Sequence, residues 1–272
     1  MTDTLLEIVG KGVTVFDLAR PMFPGMPQSH NHPKYTHTLP RRHGDMVRPD
    51  GGSAANDLLV TGTHVGTHID ALAHVSQDGK LHGGLDADDA CIGGGYQTHG
   101  VHTITPIIGR GIVLDIPRAI GVEVCEPAYE VTPADLEAAL KRQKVSIASG
   151  DVVLIRTGWG RRFAEGTESY LGAQSGVPGV SEAGAHWLSD HGILAAGADS
   201  IAFERLSAGS GHSLLPAHRV LLVERGIYII EAMDLEALAD SGVSEFTFIL
   251  VPLNLVGATG SPVRPLAVVS NA

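Results

Sequence analysis

Runs of Val, Ile and Phe recur along this chain at lengths that suit buried strands. Six stand out: Val13–Phe16, Ile112–Ile116, Val152–Arg156, Ile193–Ala196, Ile227–Ile230 and Phe246–Val251. β-branched and aromatic residues pack well on a pleated surface, so each run predicts a strand. Helix signals are fewer. Thr132-Pro133 offers a capping hydroxyl and then a proline preset for the first turn, predicting a helix to about Lys144. Ser181 caps a second helix, ended by Gly192 after His191, and Pro216 opens a third, stopped at Gly226. Gln77–Tyr96 and Arg161–Gly179 read as loops long enough to wall a pocket. Strands with three interspersed helices predict a mixed α/β domain. No Pro-, Gly- or Ser-rich linker and no fixed-period repeat divides residues 1–272, so a single domain is expected.

Composition narrows the function more than the fold. Hydrophobic residues at 43% and charged residues at 18% describe an ordinary globular chain. A net charge of −11 repels phosphate backbones, and aromatics at 5% leave few platforms for base stacking, so no nucleic-acid partner is expected. No run approaches the ~18 apolar residues of a membrane span. The first fifteen residues carry Asp3 and Glu7 and no long apolar stretch, unlike a signal peptide. Cys91 and Cys125 read as free thiols of a reducing compartment. The expectation is a soluble, cytoplasmic protein acting on a small molecule.

The chemistry concentrates at His64-Val-Gly-Thr-His68-Ile-Asp70, with His74 four residues on. Three imidazoles and a carboxylate in eleven positions, with no Lys or Arg between them, suit a divalent metal. Gly66 and the Thr61-Gly62-Thr63 before it argue against a helix. In a straight strand His64 and His68 would stand about 13 Å apart, at ~3.3 Å per residue, too wide for one ion. A bend at Gly66-Thr67 is therefore expected, and the zincin class, which needs a helical Glu, is rejected. Three protein ligands would leave positions open for water and substrate, as catalytic sites do. Asp70 has two oxygens and could bridge to a second ion, for which His212 and Glu224 are the candidate ligands.

These residues give the chain a resemblance to the cyclase family of metal-dependent hydrolases, which includes bacterial kynurenine formamidase and isatin hydrolase. The hallmark His-x-Gly-Thr-His-x-Asp with a following histidine is met by His64, Gly66, Thr67, His68, Asp70 and His74. Further matches run from Phe16-Asp17-Leu18 and Pro24-Gly25-Met26-Pro27 through Gly150–Leu154, Thr157-Gly158-Trp159, Pro178–Ser181 and Gly197–Ser200 to Gly260–Pro265. Leu72 stands where the formamidases usually carry proline, and extra loops after His74 and Trp159 fit isatin hydrolase-like members better.

The resemblance implies a fold of the swivelling β/β/α type, a mixed sheet or barrel-like core with flanking helices. It implies one or two ions, zinc or manganese: one on His64, His68 and Asp70, a second on Asp70, His212 and Glu224. It implies hydrolysis of an amide C–N bond, in an arylformamide or an isatin-type lactam, by activated water. His74 is the candidate acid/base, its ordinary pKa lying near the working pH. Phe23, Trp159 and Phe203 are candidates to stack an aromatic substrate. Thr67 is expected to support the bend. His30, His32 and His37 are spaced too irregularly to suggest a second metal cluster, and His82, His99 and His102 read as surface residues. Homodimers or homotetramers follow by analogy alone. The same water would serve a lactone or ester. A non-haem iron oxygenase built on His68 and Asp70, with Arg219 for a 2-oxo acid, is a more distant alternative. A non-enzymatic metal protein is disfavoured by the open coordination positions.

Overall fold

The computed structural model describes residue 6 and residues 9–271. Nine strands form one mixed, curled sheet: β1 (Val13–Asp17), β2 (His68–Asp70), β3 (Ile107–Asp115), β4 (Val152–Arg156), β5 (Ala195–Ala198), β6 (Tyr228–Glu231), β7 (Glu245–Leu250), β8 (Gly260–Pro262) and β9 (Leu266–Ser270). Their spatial order is β1-β9-β7-β3-β4-β5-β6-β2-β8. The central four, β3 to β6, run parallel, and the flanking strands are antiparallel to their neighbours. The six apolar runs all fall on this sheet. The third-run boundary agrees, while β3 begins five residues early and β5 sits two residues later than the pattern suggested. Strands β2, β8 and β9 were not foreseen. Strands β2 and β8, three residues each, carry too little pattern to detect, whereas the five-residue apolar run of β9 was missed.

Burial on both faces explains the continuous apolar character of the middle strands. Val153 and Ile155 of β4 pack into one core with Leu114, Leu136, Leu188 and Leu221, under the helices. Val152 and Leu154 point the other way, joining Ile69, Ile230, Phe248 and Leu250. The strand period of two thus feeds two cores from one sheet.

The expected helices form where their caps stand. In α1 (Pro133–Gln143) the Thr132 hydroxyl accepts from the Asp135 amide while Asp135 accepts from the Thr132 amide at 2.8 Å, and Lys144 closes the helix at φ +56°. The Ser181 hydroxyl accepts from the Gly184 amide to start α2 (Glu182–Asp190). The third helix, α3 (Pro216–His218), widens into π-type turns over Arg219–Arg225 before Gly226 ends it. The stretch 161–179 is not all loop: helical turns occupy Trp159–Glu165 and Thr167–Leu171. Among the described residues no helix is long and apolar enough to cross a membrane.

Candidate metal centre

Carboxyl ends of parallel strands are where open α/β sheets gather ligands. Here β6 ends in Glu231, and antiparallel β2 lies beside it with His68 directly opposite Glu231. His68 and Asp70 are two apart in β2, so they share that face. His64 reaches the same place because the chain turns at Gly66, φ +71°. The His64 and His68 rings come to 5.2 Å between centroids, far closer than a straight strand would bring them. Thr67 holds the bend: its hydroxyl donates to the Ala232 carbonyl at 2.7 Å and accepts from the Arg20 amide at 2.8 Å. Opposite Asp70, Gly260 of β8 leaves room for the His64 ring.

The donors converge in a buried space. His64 Nδ1 lies 2.6 Å from Asp70 Oδ1, and His68 Nε2 lies 3.4 Å from both Asp70 Oδ1 and Glu231 Oε2. His218 Nε2 lies 3.1 Å from Glu231 Oε1 and 3.6 Å from Asp70 Oδ2. His74 stacks on His64 at 3.8 Å between ring centroids and stands half-buried. Two groups of donor atoms are close enough to share a cation, His64–Asp70–His74 and His68–Asp70–Glu231, with Asp70 common to both.

Neighbours fix which imidazole nitrogens face the centre. His68 Nδ1 is engaged by the Gly66 carbonyl at 2.9 Å, which leaves Nε2 inward. His218 Nδ1 is engaged by Glu204 Oε1 at 2.6 Å, and the Glu204 carboxylate also accepts the Ala217 and His218 amides at the start of α3. Such outer partners are what orient metal-binding histidines. Phe203 and Ala232, the residues adjoining Glu204 and Glu231, both sit at positive φ (+55° and +54°). Such a conformation costs a non-glycine residue of order 1–3 kcal/mol, here beside the two carboxylates that the centre needs placed.

Electrostatics favour positive charge between the carboxylates. Burial would depress His68, yet its hydrogen bond to Asp70 and the charges of Asp70 and Glu231 push it up to about 9. His218 is raised well above the usual imidazole range against the same burial, by Asp70, Glu204 and Glu231. Burial would raise Asp70, but His74, His218, His64 and His68 hold it well below the ordinary carboxylate range. Burial lowers His74 to about 3, with Asp70 opposing and His64 adding to it. Asp70 Oδ2 and Glu231 Oε1 are buried and accept no hydrogen bond among the described residues. His218 Nε2 stands 3.6 and 3.1 Å from them without the alignment of a hydrogen bond, and a divalent cation is the group that would satisfy both. The residues present fit a metal of nitrogen and oxygen preference.

The expected second set is corrected in part. Glu224 does not approach the centre. It sits on the outer face of α3's extension, paired with Arg219, while Val220, Leu221 and Leu222 turn inward. His212 lines a neighbouring pocket, near enough to Glu231 and His218 for their charges to bear on it, but outside both donor groups. The distant His and Glu that reach Asp70 are His218 and Glu231, thirteen residues apart rather than twelve. Trp159 and Phe203 are wholly buried and line neither pocket beside the centre. Trp159 Nε1 donates to the Tyr170 carbonyl at 2.7 Å, and Phe203 lies in the helix-side core. Phe23 is exposed, next to Met22, which packs on Gly66.

Two pockets lie beside the centre. One, about 440 Å³, is lined by Ser29, His30, Leu171, Leu206, Ser210 and His212. A second, about 210 Å³, shares Ser29 and His30 and adds His32 and Tyr35. The His32 ring stacks on His64 at 5.4 Å, which brings into the site a histidine whose spacing had argued against a metal role.

The profile of the family described as "Putative cyclase" matches residues 16–205. Isatin hydrolase from Roseibium aggregatum is 26% identical over 271 residues, covering 98% of this chain and 95% of that protein. Kynurenine formamidase from Bacillus cereus is 27% identical over 219 residues, 80% of this chain and 81% of that one. Cyclase-like protein 3 from Oryza sativa subsp. japonica is 27% identical over 215 residues, 79% of this chain, and the match spans only 66% of the plant protein's length. A crystal structure described as a novel cyclase superposes with a TM-score of 0.84 at 30% identity, covering 94% of this chain and 87% of that one.

Proposed function

The chain belongs to the cyclase family, and from that premise we propose that it is a metal-dependent hydrolase that cleaves an amide C–N bond in a small molecule. The relatives named isatin hydrolase and kynurenine formamidase support amide hydrolysis for the family as a whole. For this chain the carrying observation is the pair of buried, unsatisfied carboxylate oxygens on Asp70 and Glu231, facing imidazoles whose nitrogens are oriented inward. His64, His68, Asp70 and Glu231 would hold the metal, with His218 beside them. The centre would suit one ion, and a second held with His74 would take that imidazole out of proton transfer. Nitrogen and oxygen donors fit zinc or manganese.

When bound, such a metal acidifies water and polarises a carbonyl oxygen. The chain's own residues do the rest. The pockets beside the centre, with His32 and His212 on their walls, would receive the substrate. His74, stacked on His64 and half-open, is kept neutral by its burial, and it is placed to take the proton lost by the attacking water, with Asp70 steadying the charge it gains, and to pass that proton to the departing nitrogen. Water adds to the carbonyl carbon and the C–N bond breaks, giving an amine, a carboxylate and one released proton, the two groups on separate molecules from a formamide and on one ring-opened molecule from a lactam.

The test pairs two variants with a substrate panel of isatin, N-formylkynurenine and simple lactones, assayed with zinc and with manganese. Asp70→Ala is expected to lose the metal and all turnover. His74→Ala is expected to keep at least one equivalent of metal yet lose turnover. Full activity in His74→Ala would end the acid/base assignment, and hydrolysis of lactones alone would replace the amide reading.

A further inference from the structure

Neither pocket beside the centre is lined by an aspartate or a glutamate, although the chain carries 30 acids against 19 bases. The larger, which holds His212, is walled by Leu171, Ala173 and Leu206 with Ser210 and Ser213. The smaller takes in Ser29, His30, His32, Lys34 and Tyr35. Lys34 is the one lysine or arginine on either lining. An acid-free wall with a single ammonium attracts a negative group and offers a positive one no partner.

No carboxylate of the protein answers this lysine. The acids nearest along the chain are engaged elsewhere: Asp45 accepts the Arg42 amide at 2.7 Å, Asp50 pairs with Arg48 at 3.7 Å and Asp57 with His37 at 3.3 Å. Beside Thr167, which also lines the smaller pocket, Glu165 accepts from the Ser169 hydroxyl, and Glu168 is exposed and lines neither pocket. Among the described residues Lys34 forms no ion pair, unlike Lys80, which closes on Asp86 at 3.0 Å. The backbone around Lys34 is nevertheless fixed. The Gln28 side chain accepts from the Tyr35 amide at 2.9 Å and donates to the Pro33 carbonyl at 3.2 Å, one residue to either side. Two residues earlier His32 stacks on His64. At most about 7 Å of chain therefore separates the lysine from a residue that touches the metal centre.

We propose that the preferred substrate is a net-anionic amide, whose scissile carbonyl sits at the metal centre while a carboxylate elsewhere on the molecule pairs with Lys34 in the smaller pocket. This rests on the hydrolase reading and narrows it. The pocket, about 210 Å³, has room for an aromatic ring, since a cavity of ~150 Å³ holds benzene. A ring with the amide at one end and the acid at the other would bridge His32 and Lys34. A neutral lactam such as isatin would leave the lysine unused. A zwitterion such as N-formylkynurenine would bring an ammonium that no acid receives. Because Lys34 meets a part of the substrate that does not react, it holds ground state and transition state alike, which acts on KM rather than kcat. Its role is specificity, and the chemistry stays with the centre.

The experiment compares three arylformamides that differ only at the para position, namely para-formamidobenzoate, its methyl ester and formanilide, with N-formylkynurenine beside them, all on zinc-loaded protein. Wild type should favour the anion over its ester and over N-formylkynurenine by about tenfold in kcat/KM, the size of a charge-assisted bond partly screened by water. Lys34→Ala should raise KM for the anion about tenfold with kcat held within about twofold, and leave formanilide unchanged. Lys34→Arg should keep the preference and Lys34→Glu should reverse it. Lys141→Glu, the same change of charge at an exposed position on α1, should alter nothing. Calorimetry on zinc-loaded His74→Ala protein reads binding apart from turnover, and there too the anion should bind about tenfold tighter than its ester only while Lys34 is present. Two results each overturn the proposal: a wild type that treats anion and ester alike, or a preference that survives Lys34→Ala, as direct ligation of the metal by the carboxylate would. If no amide is hydrolysed yet the anion still binds through Lys34, the hydrolase reading fails and the anion subsite stands.

Discussion

Gly260→Ala tests how tightly the centre is built. Gly260 lies in β8 opposite Asp70, in ordinary extended backbone, so alanine brings no φ strain. Its Cβ, however, would sit 2.5 Å from His64 Cε1 and 2.9 Å from both ring nitrogens. Carbon atoms rest at about 3.5–4.0 Å, so the ring must retreat by roughly 1 Å. It has nowhere easy to go. One face is stacked on His74, Nδ1 is 2.6 Å from Asp70, and Nε2 is 2.9 Å from the Thr259 hydroxyl. Overpacking of this kind costs about 1–3 kcal/mol, which for a chain of this size lowers Tm by roughly 2–5 °C. The larger effect falls on the site. Metal affinity should drop by about 10–100-fold, and kcat/KM by on the order of 100-fold, as a 1 Å misplacement can.

Chelator competition measures the affinity and thermal melting the fold. Gly109→Ala is the control, because a Cβ there meets nothing within 4 Å, and it should change neither. A folded Gly260→Ala protein that binds metal within about threefold of wild type would show that His64 is not held as described.

Three further outcomes are expected. Glu204→Gln keeps the shape but replaces one carboxylate oxygen with a donor facing the donors of α3, so metal affinity should fall by about 10–100-fold; unchanged affinity would remove Glu204 as the orienter of His218. Trp159→Phe loses the bond to the Tyr170 carbonyl in a fully buried place, so Tm should drop while KM stays constant, and a raised KM at unchanged Tm would return Trp159 to the substrate wall. Glu236 is held below its ordinary value near 4.5 by Arg156 and Arg161, which outweigh its burial. The unfolded chain therefore binds the proton first, so this stabilisation is present above pH 4.5 and is lost as pH falls through the folded value. In urea titrations across pH 3–6, Glu236→Gln should flatten the acid limb, and an unaltered slope would refute the assignment.

The half of the centre legible in the sequence is the half made by local chain. His64, His68, Asp70 and His74 lie within eleven residues, and the impossibility of spanning one ion with a straight strand pointed to the turn at Gly66. The large sheet was legible for the same reason: each strand of β4 type advertises burial on both faces in its own five residues. Partners brought in by tertiary structure were not. His30, His32 and His37 look alike as a string, and only the path of the segment over the site selects His32 to stack on His64. Trp159 and Phe203 follow strand ends near the centre, but one donates into a buried carbonyl and the other fills a core.

The choice between His212–Glu224 and His218–Glu231 shows what spacing leaves out. Spacing measures distance along the chain, whereas a ligand must also face the right way. Glu224 follows Val220, Leu221 and Leu222, whose side chains turn inward, and Arg219 offers it a partner in water. Glu231 closes Tyr228-Ile-Ile, a run with no other charge, on a parallel strand whose neighbours are buried. A carboxylate there cannot reach bulk water, and burying it without a cation costs several kcal/mol. That cost is the better signal: an acid at the carboxyl end of an apolar strand must be answered by positive charge, and His68 stands opposite it in the adjoining strand. The same argument identifies Glu204. It is a fully buried acid beside a residue at positive φ, answered by the amides and imidazole at the start of α3. The two acids therefore act in sequence, Glu204 fixing the His218 ring and Glu231 meeting its Nε2, so the distant half of the site is assembled by desolvated carboxylates rather than by a motif.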